Sequence, residues 1–403
     1  MDYEVAVIGG GAAGMMAAHI ASSRGKKVCL IEKNPVLGKK ILITGKGRCN
    51  VTNSAPVEDF IANTAVNSNF LYSAFYTFTN DNLIEMLENA GLKLKCERGG
   101  RVFPQSDKAS DVRDTFEMLL KKSGAEVIHS EVKSVTKENG IFNLNLRDRS
   151  ICANSVIIAT GGVSYPLTGS TGDGYKFASK LGHSIIEPKA SLVPLVTEEK
   201  YVSNLMGLSL KNISVSLKRN NKEIFTDFGE MLFTHFGLSG PVILSASSHI
   251  RDNAKYTISI DLKPALDFKT LDNRILRDFE EEKNKDFINS LDALLPKKLI
   301  PQIVELSGID PRQKVNSITR DERHKLVNLL KNFEFTIKAK RSVSEAIITS
   351  GGVNVKEIDS STMQSKITEG LYFAGEVIDV DAYTGGFNLQ IAFSTAYLAG
   401  MNA

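Results

Sequence analysis

The run Val5-Ala-Val-Ile-Gly-Gly-Gly-Ala-Ala-Gly14 constrains this chain more than any other stretch. Val5 to Ile8 predict a buried parallel strand, and Ala12 to Ser23 a helix of small residues. Between them Gly9, Gly11 and Gly14 stand in G-x-G-x-x-G register. The first glycine permits a tight turn, the second lets backbone approach a pyrophosphate, and the third lets the helix pack closely on the strand. The helix start then offers unpaired N–H groups and the positive end of its dipole. Val28-Cys-Leu-Ile-Glu32 predicts a second parallel strand. Its terminal acid is placed to accept from both ribose hydroxyls of a dinucleotide, which disfavours a 2′-phosphate and hence NADP here.

At 403 residues the chain is long enough for two or three domains. A net charge of +3 makes no case for nucleic acid or a membrane surface. No apolar run approaches the ~18 residues of a membrane span. A strand beginning almost at Met1 leaves no room for a signal peptide, so the expected location is cytoplasmic. Cys29, Cys49, Cys96 and Cys152 form no C-x-x-C pair, which excludes a zinc ribbon and gives no sign of a disulfide scaffold. No metal site is expected.

Along the chain, Ala109 to Ser123 predicts a helix, Glu126 to His129 a parallel strand, and Val132 to Leu146 a hairpin turning at Asn139-Gly140. Ile151 to Ala159 is a further buried strand. From about Ala190 the texture changes to antiparallel strands, among them Ile213 to Leu217 and Tyr256 to Asp261. Residues 268–331 read as charged helices, with Thr319 and Glu322 forming a capping box. Strands return at 334–337 and 346–348. The expected organisation is 1–189 with 349–403 as a discontinuous nucleotide-binding domain, 190–267 with 332–348 as an antiparallel insertion, and 268–331 as a helical subdomain.

Two further segments point to a flavin. Ile157 to Ala159 ends in Thr160-Gly161-Gly162, and Leu371-Tyr-Phe-Ala-Gly-Glu376 is followed by Thr384-Gly-Gly-Phe-Asn-Leu-Gln-Ile-Ala392. In the second, an acid at a strand end suits a polyol such as ribityl. The new helix start suits the pyrimidine edge of an isoalloxazine, where negative charge gathers on reduction.

Together these segments resemble the FAD-dependent oxidoreductases of the two-dinucleotide-binding type, and more narrowly the family that includes aminoacetone oxidase and the bile-acid flavoprotein BaiN. Thr44-Gly-Lys-Gly-Arg-Cys-Asn-Val-Thr-Asn53, Ala159 to Pro166, Gly169 to Gly174, Gly229 to Pro241, Thr349-Ser-Gly-Gly-Val353 and Gly375 to Gln390 carry the resemblance from end to end. It implies one FAD and an α/β fold, a Rossmann-like FAD-binding domain interrupted by an inserted β-barrel-like domain and a small helical domain. It also implies a cofactor site built from Gly9, Gly11, Ala12, Ala13, Gly14, Glu32, Lys33, Lys40, Gly45, Gly47, Arg48, Cys49, Asn50, Val132, Thr160, Gly161, Gly375, Glu376, Gly386, Phe387, Asn388, Leu389 and Gln390. Lys40, Gly47, Arg48 and Asn50 are expected along the pyrophosphate and flavin, and Gly161 with Asn388 to Gln390 at the ribityl and pyrimidine.

Flavin chemistry asks little of protein acids and bases, in keeping with the lack of a serine–histidine–acid triad in the sequence. His235, in a loop ending at Gly240-Pro241, and Tyr165 and Tyr383, beside the flavin segments, are the candidate catalytic residues; each is as readily a structural residue. Cys49 lacks the second cysteine of a disulfide reductase, since Ser54 stands where it would be needed. The expected activity is hydride transfer at flavin N5 on a small molecule, either as an NAD(P)H-dependent reductase or as an O₂-dependent amine oxidase. No second G-x-G-x-x-G follows a strand, so NAD(P)H would be a transient co-substrate. A flavoprotein acting on tRNA and a non-enzymatic FAD sensor are the alternatives. Over 190–345 Lys and Arg barely outnumber Asp and Glu, so nucleic acid is not the expected partner. The helices at 268–331 offer a homodimer surface.

Overall fold

The computed structural model describes residues 2–403, which divide into two compact units, 2–191 with 342–403 and 192–341. The first is built on a mixed sheet. Its strands are β1 (Tyr3–Ile8), β2 (Val28–Glu32), β3 (Glu126–His129), β4 (Val132–Glu138), β5 (Ile141–Leu146), β6 (Ser150–Ile158) and β7 (Leu371–Phe373). They run in the order β3-β2-β1-β6-β5-β4, with β7 also on β6. β1 pairs in parallel with β2 from Val5↔Val28 to Ile8↔Ile31, and with β6 from Tyr3↔Ala153 to Ile8↔Ile158. β6 changes partner along its length. Ser150 to Ala153 pair antiparallel with β5, while Val156 to Ile158 pair in parallel with β7. The β4–β5 turn places Asn139 and Gly140 both at positive φ, as a two-residue hairpin requires.

Helix α1 (Ala12–Ser23) packs between this sheet and the closing helix α2 (Phe387–Asn402). Both are apolar nearly all round, as helices buried on several sides must be. The close approach depends on glycine. A Cβ on Gly14 would lie 1.7 Å from the Gly9 carbonyl oxygen, and one on Gly400 would lie 2.7 Å from that of Ala17.

The second unit holds a closed six-stranded antiparallel barrel, in the order 195–197, 237–239, 222–233, 209–219, 256–261, 333–340. Helices Phe268–Glu281, Ile300–Ser307 and Arg320–Lys331 share its core. Phe233, Phe333 and Phe335, all buried, meet with ring centroids 4.6 to 6.4 Å apart. The helices expected as a separate subdomain are therefore part of one unit with the barrel. The boundary at the C-terminal return also differs from expectation. Residues 342–348 belong with the first unit, because Ile348–Val353 pairs antiparallel with Ile185–Ser191. No helix among the described residues is long and apolar enough to cross a membrane.

Candidate active site

β1, β6 and β7 end side by side, at Ile8, Ile158 and Phe373. Three glycine turns therefore leave the sheet together, at Gly9, Gly161 and Gly375, all at positive φ. A Cβ on Gly375 would come within 2.8 Å of the Ala13 Cβ, so the C-terminal turn rests on the first turn of α1. Ala12 is partly exposed there and Ala13 is buried. Gly386 closes on the glycine-rich loop, since its Cβ would meet the Thr52 carbonyl oxygen at 2.3 Å. Asn53 Nδ2 donates to the Gly385 carbonyl at 3.0 Å. Thr52 Oγ1 donates to Gln390 Oε1 at 2.7 Å. The first and last parts of the chain thus meet in one place.

Both helix starts are bare. α1 begins on Gly11 and α2 on Gly386, neither with a side-chain cap. A Cβ on Gly11 would meet nothing within 4 Å, so the α1 start faces open space. Uncapped N–H groups and two dipole ends favour an anion. Asn50 Oδ1, two residues before Thr52, and Thr160 Oγ1, next to Gly161, are buried polar atoms without a protein partner. Buried oxygens of this kind are normally satisfied, and a bound polar ligand would satisfy them. These features fit FAD.

The carboxylates are largely committed already. Glu32, buried, accepts from the Gly10 N–H at 2.6 Å, the Asn34 N–H at 2.8 Å and Asn34 Nδ2 at 2.6 Å. A carboxylate has about four acceptor positions, so Glu32 has room for one ribose hydroxyl rather than the two expected. Glu376 Oε1 accepts from Ser164 Oγ and the Thr349 N–H, each at 2.7 Å. Its Oε2 accepts from Lys40 Nζ at 2.5 Å. Lys40 also donates to Ser164 Oγ at 2.8 Å, so its charge serves Glu376 rather than standing alone for a phosphate. Lys33 is likewise engaged, with Asp173 at 2.7 Å and Thr171 Oγ1 at 2.6 Å.

The loop 41–50 holds its shape through left-handed residues: Gly45, Lys46, Gly47 and Cys49 all have positive φ. Arg48 does not offer its guanidinium to a ligand. It pairs with Glu97 and Asp107 and stacks on Phe103 at 4.1 Å, pinning the loop to the small sheet formed by Thr52–Asn53, Arg101–Pro104 and Leu94–Glu97. Cys49 is fully buried, and burial pushes its thiol up to about 12, which leaves no thiolate for redox chemistry.

At the α2 start the side chains also turn inward. Phe387 is buried against Phe60, with centroids 5.1 Å apart. Asn388 exchanges bonds with both backbone groups of Ala382 and donates to the Tyr383 carbonyl. Gln390, buried, donates to Ser394 and the Phe78 carbonyl. Val132 is buried at the start of β4, opposite Leu146. Tyr165 is half-buried with Lys40 Nζ 5.9 Å from its ring centre, and burial raises its phenol. Tyr383 is half-buried and donates its N–H to Asn63. His235 belongs to the barrel unit, in the exposed turn between 222–233 and 237–239, edge-on to Phe236.

Three residues were missed in the sequence: Asn34, Ser164 and Thr349. Thr349 Oγ1 accepts from the Val163 and Ser164 N–H groups at 2.9 and 3.0 Å, holding the 161–164 turn. Only its place in the Thr349-Ser-Gly-Gly motif could have drawn attention to it.

Residues 3–402 match the family described as HI0933-like protein Rossmann domain. The chain belongs to that family. Among its relatives, a ribosomal RNA dihydrouridine synthase of Escherichia coli K12 is 32% identical over 396 residues, 98% of this chain and 96% of that one. A 3-dehydro-bile acid delta(4,6)-reductase of Clostridium scindens is 30% identical over 407 residues, 99% and 98% of the two chains. In fold, the chain is similar to 3-ketosteroid delta1-dehydrogenase from Sterolibacterium denitrificans, with a TM-score of 0.54 at 14% identity, covering 99% and 98%. This member of the HI0933-like family is an FAD-dependent oxidoreductase.

Proposed function

We propose that this flavoenzyme is a reductase, delivering a hydride to a carbon–carbon double bond conjugated to a carbonyl. The end-to-end similarity to a ribosomal RNA dihydrouridine synthase and to a bile acid reductase carries the reading. Dihydrouridine is uridine whose uracil ring is saturated at a double bond conjugated to a ring carbonyl, and a delta(4,6)-reductase also saturates conjugated double bonds. One chemistry covers both names, whereas an amine oxidase fits neither. When bound, FAD would supply the hydride from its N5 position.

The chain's own residues would bind and orient. The bare starts of α1 and α2 would hold the pyrophosphate and the flavin pyrimidine edge, and Glu32 one ribose hydroxyl. The Lys40–Glu376 pair would hold together the 33–50 loop, the 161–164 turn and the Gly375 turn. Tyr165 and Tyr383 are the candidates to line the substrate and pass a proton to the carbon next to the one reduced. His235 is left out of this reading. Electrons would come from NADH or NADPH docking transiently.

Two relatives named for ribosomal RNA support a second reading, in which the conjugated bond lies in a uracil base of RNA. Near-neutral charge alone is a weak ground for excluding it. Both readings are tested anaerobically. NADH or NADPH should bleach the flavin, and either a 4-en-3-one steroid or unmodified ribosomal RNA should restore its colour. Dihydrouridine in the RNA by mass spectrometry selects the second reading. Bleaching by an amine alone, with peroxide on admitting air, would overturn both.

A further inference from the structure

The loop Tyr165–Gly172 carries more fastenings than a surface connection needs. Tyr165, Gly169 and Gly172 all have positive φ, at the two ends and within a short span. Beside it opens a cavity of about 590 Å³, whose lining includes Lys33, Asn34, His129, Arg147, Leu167 and Gly169. Lys33 and Asn34 directly follow Glu32, so the cavity lies where the second strand delivers its acid. Leu167 lines it yet is 89% exposed, an apolar side chain with nothing covering it.

Two ties hold the loop. Lys33 Nζ donates to Asp173 Oδ2 at 2.7 Å and to Thr171 Oγ1 at 2.6 Å, and Thr171 donates to the same Asp173 oxygen. Lys176 takes the other oxygen at 3.2 Å. The second tie is Asn34 Nδ2, which donates to the Thr168 carbonyl at 3.1 Å as well as to Glu32 Oε1. One amide therefore touches both the expected ribose acid and the loop. A Cβ on Gly169 would strike it at 2.5 Å, so glycine is required there.

We propose that Tyr165–Gly172 is a strap over the adenosine half of FAD, latched by Lys33 to Asp173, and that opening this latch sets the rate of cofactor release. The proposal rests on the FAD assignment. Leu167 then closes on the adenine face and gains the apolar cover it lacks. Burial alone would raise the Asp173 carboxyl, but the Lys33 and Thr171 bonds outweigh it and hold it at about 2, so the latch stays charged at any working pH.

The test follows FAD release from the holoenzyme by the rise in flavin fluorescence. K33M and D173N should each release FAD about fivefold faster than wild type, the scale of one partly exposed ion pair. The double variant should be no faster than the quicker single one. Chymotrypsin should cut after Leu167 sooner in both, and L167S should also speed release while leaving the latch intact. Wild-type release rates in K33M and D173N, or a double variant as fast as the product of the two, would overturn the strap. A wild-type protein purified without flavin would instead refute the FAD assignment.

Discussion

The two glycine-started helices of the FAD unit begin in the opposite way from two helices of the barrel unit. In the barrel unit, Phe268–Glu281 starts on Asp267, whose carboxylate accepts from the Thr270 N–H at 2.7 Å, and Arg320–Lys331 starts on Thr319 in a reciprocal box with Glu322. In the FAD unit, α1 and α2 start on glycine with no cap at all. A capped helix start has spent its N–H groups on the protein; a glycine start keeps them for something else. The same unit leaves Asn50 Oδ1 and Thr160 Oγ1 buried and unpartnered. Helix stability and ligand affinity are thus drawn from the same few N–H groups; α1 and α2 leave theirs free, whereas Asn80–Asn89 of the same unit is capped by Thr79 in a box with Asn82.

The largest effect should come from the barrel core. F335A removes a fully buried ring from the phenylalanine cluster and should lower unfolding stability by about 3 to 5 kcal/mol. Denaturant titration measures it, and the variant should still purify yellow. A colourless F335A would break the comparison, by showing that flavin retention depends on the barrel core. Next in size is G11D, which supplies the missing cap. Gly11 has extended backbone and open space around its Cβ, so the fold should accept it and gain a few tenths of a kcal/mol without cofactor. FAD affinity should fall by roughly tenfold or more, because a carboxylate now occupies and repels at the anion site. Unchanged affinity by flavin titration would mean that α1 does not serve the ligand.

T319A should cost about 1 kcal/mol of stability and no FAD affinity, the reverse of G11D. The smallest effect concerns His183, whose side chain is fully buried between Ser365, Glu357 and the edge of Phe373. Burial depresses its pKa below the ordinary 6.5, with Glu357 opposing in part. The folded state therefore binds fewer protons than the unfolded one. The stability this contributes is present above pH 6.5 and lost as the pH falls through the folded value. H183Q should flatten the stability profile between pH 7 and 5, measured by denaturant midpoints.

What was legible in the sequence is what local backbone rules dictate. Gly9 to Gly14, the Asn139-Gly140 hairpin, the Thr319 box and Pro241 opening a helix all follow from a few adjacent residues. Side-chain roles at the site were harder, because the partner is far off in sequence. Lys40 meets Glu376, Arg48 meets Glu97 and Asp107, and Gln390 meets Thr52. Nothing near Arg48 in the sequence says that its charge is already taken. The return expected at 349 falls at 342 for the same reason, since Ile348–Val353 finds its partner strand before the insertion begins.

Consider, finally, where β7 comes from. The central strand β6 is flanked by a segment beginning at Tyr3 and one beginning at Leu371, and the Gly375 turn seats itself on Ala13. During synthesis the glycine loop therefore emerges first and must wait, with its sheet open along one edge, until nearly the whole polypeptide has left the ribosome. A nascent chain stalled before residue 371 would carry the fingerprint of a nucleotide fold and yet lack the Gly375 turn and the second bare helix start that complete the flavin site.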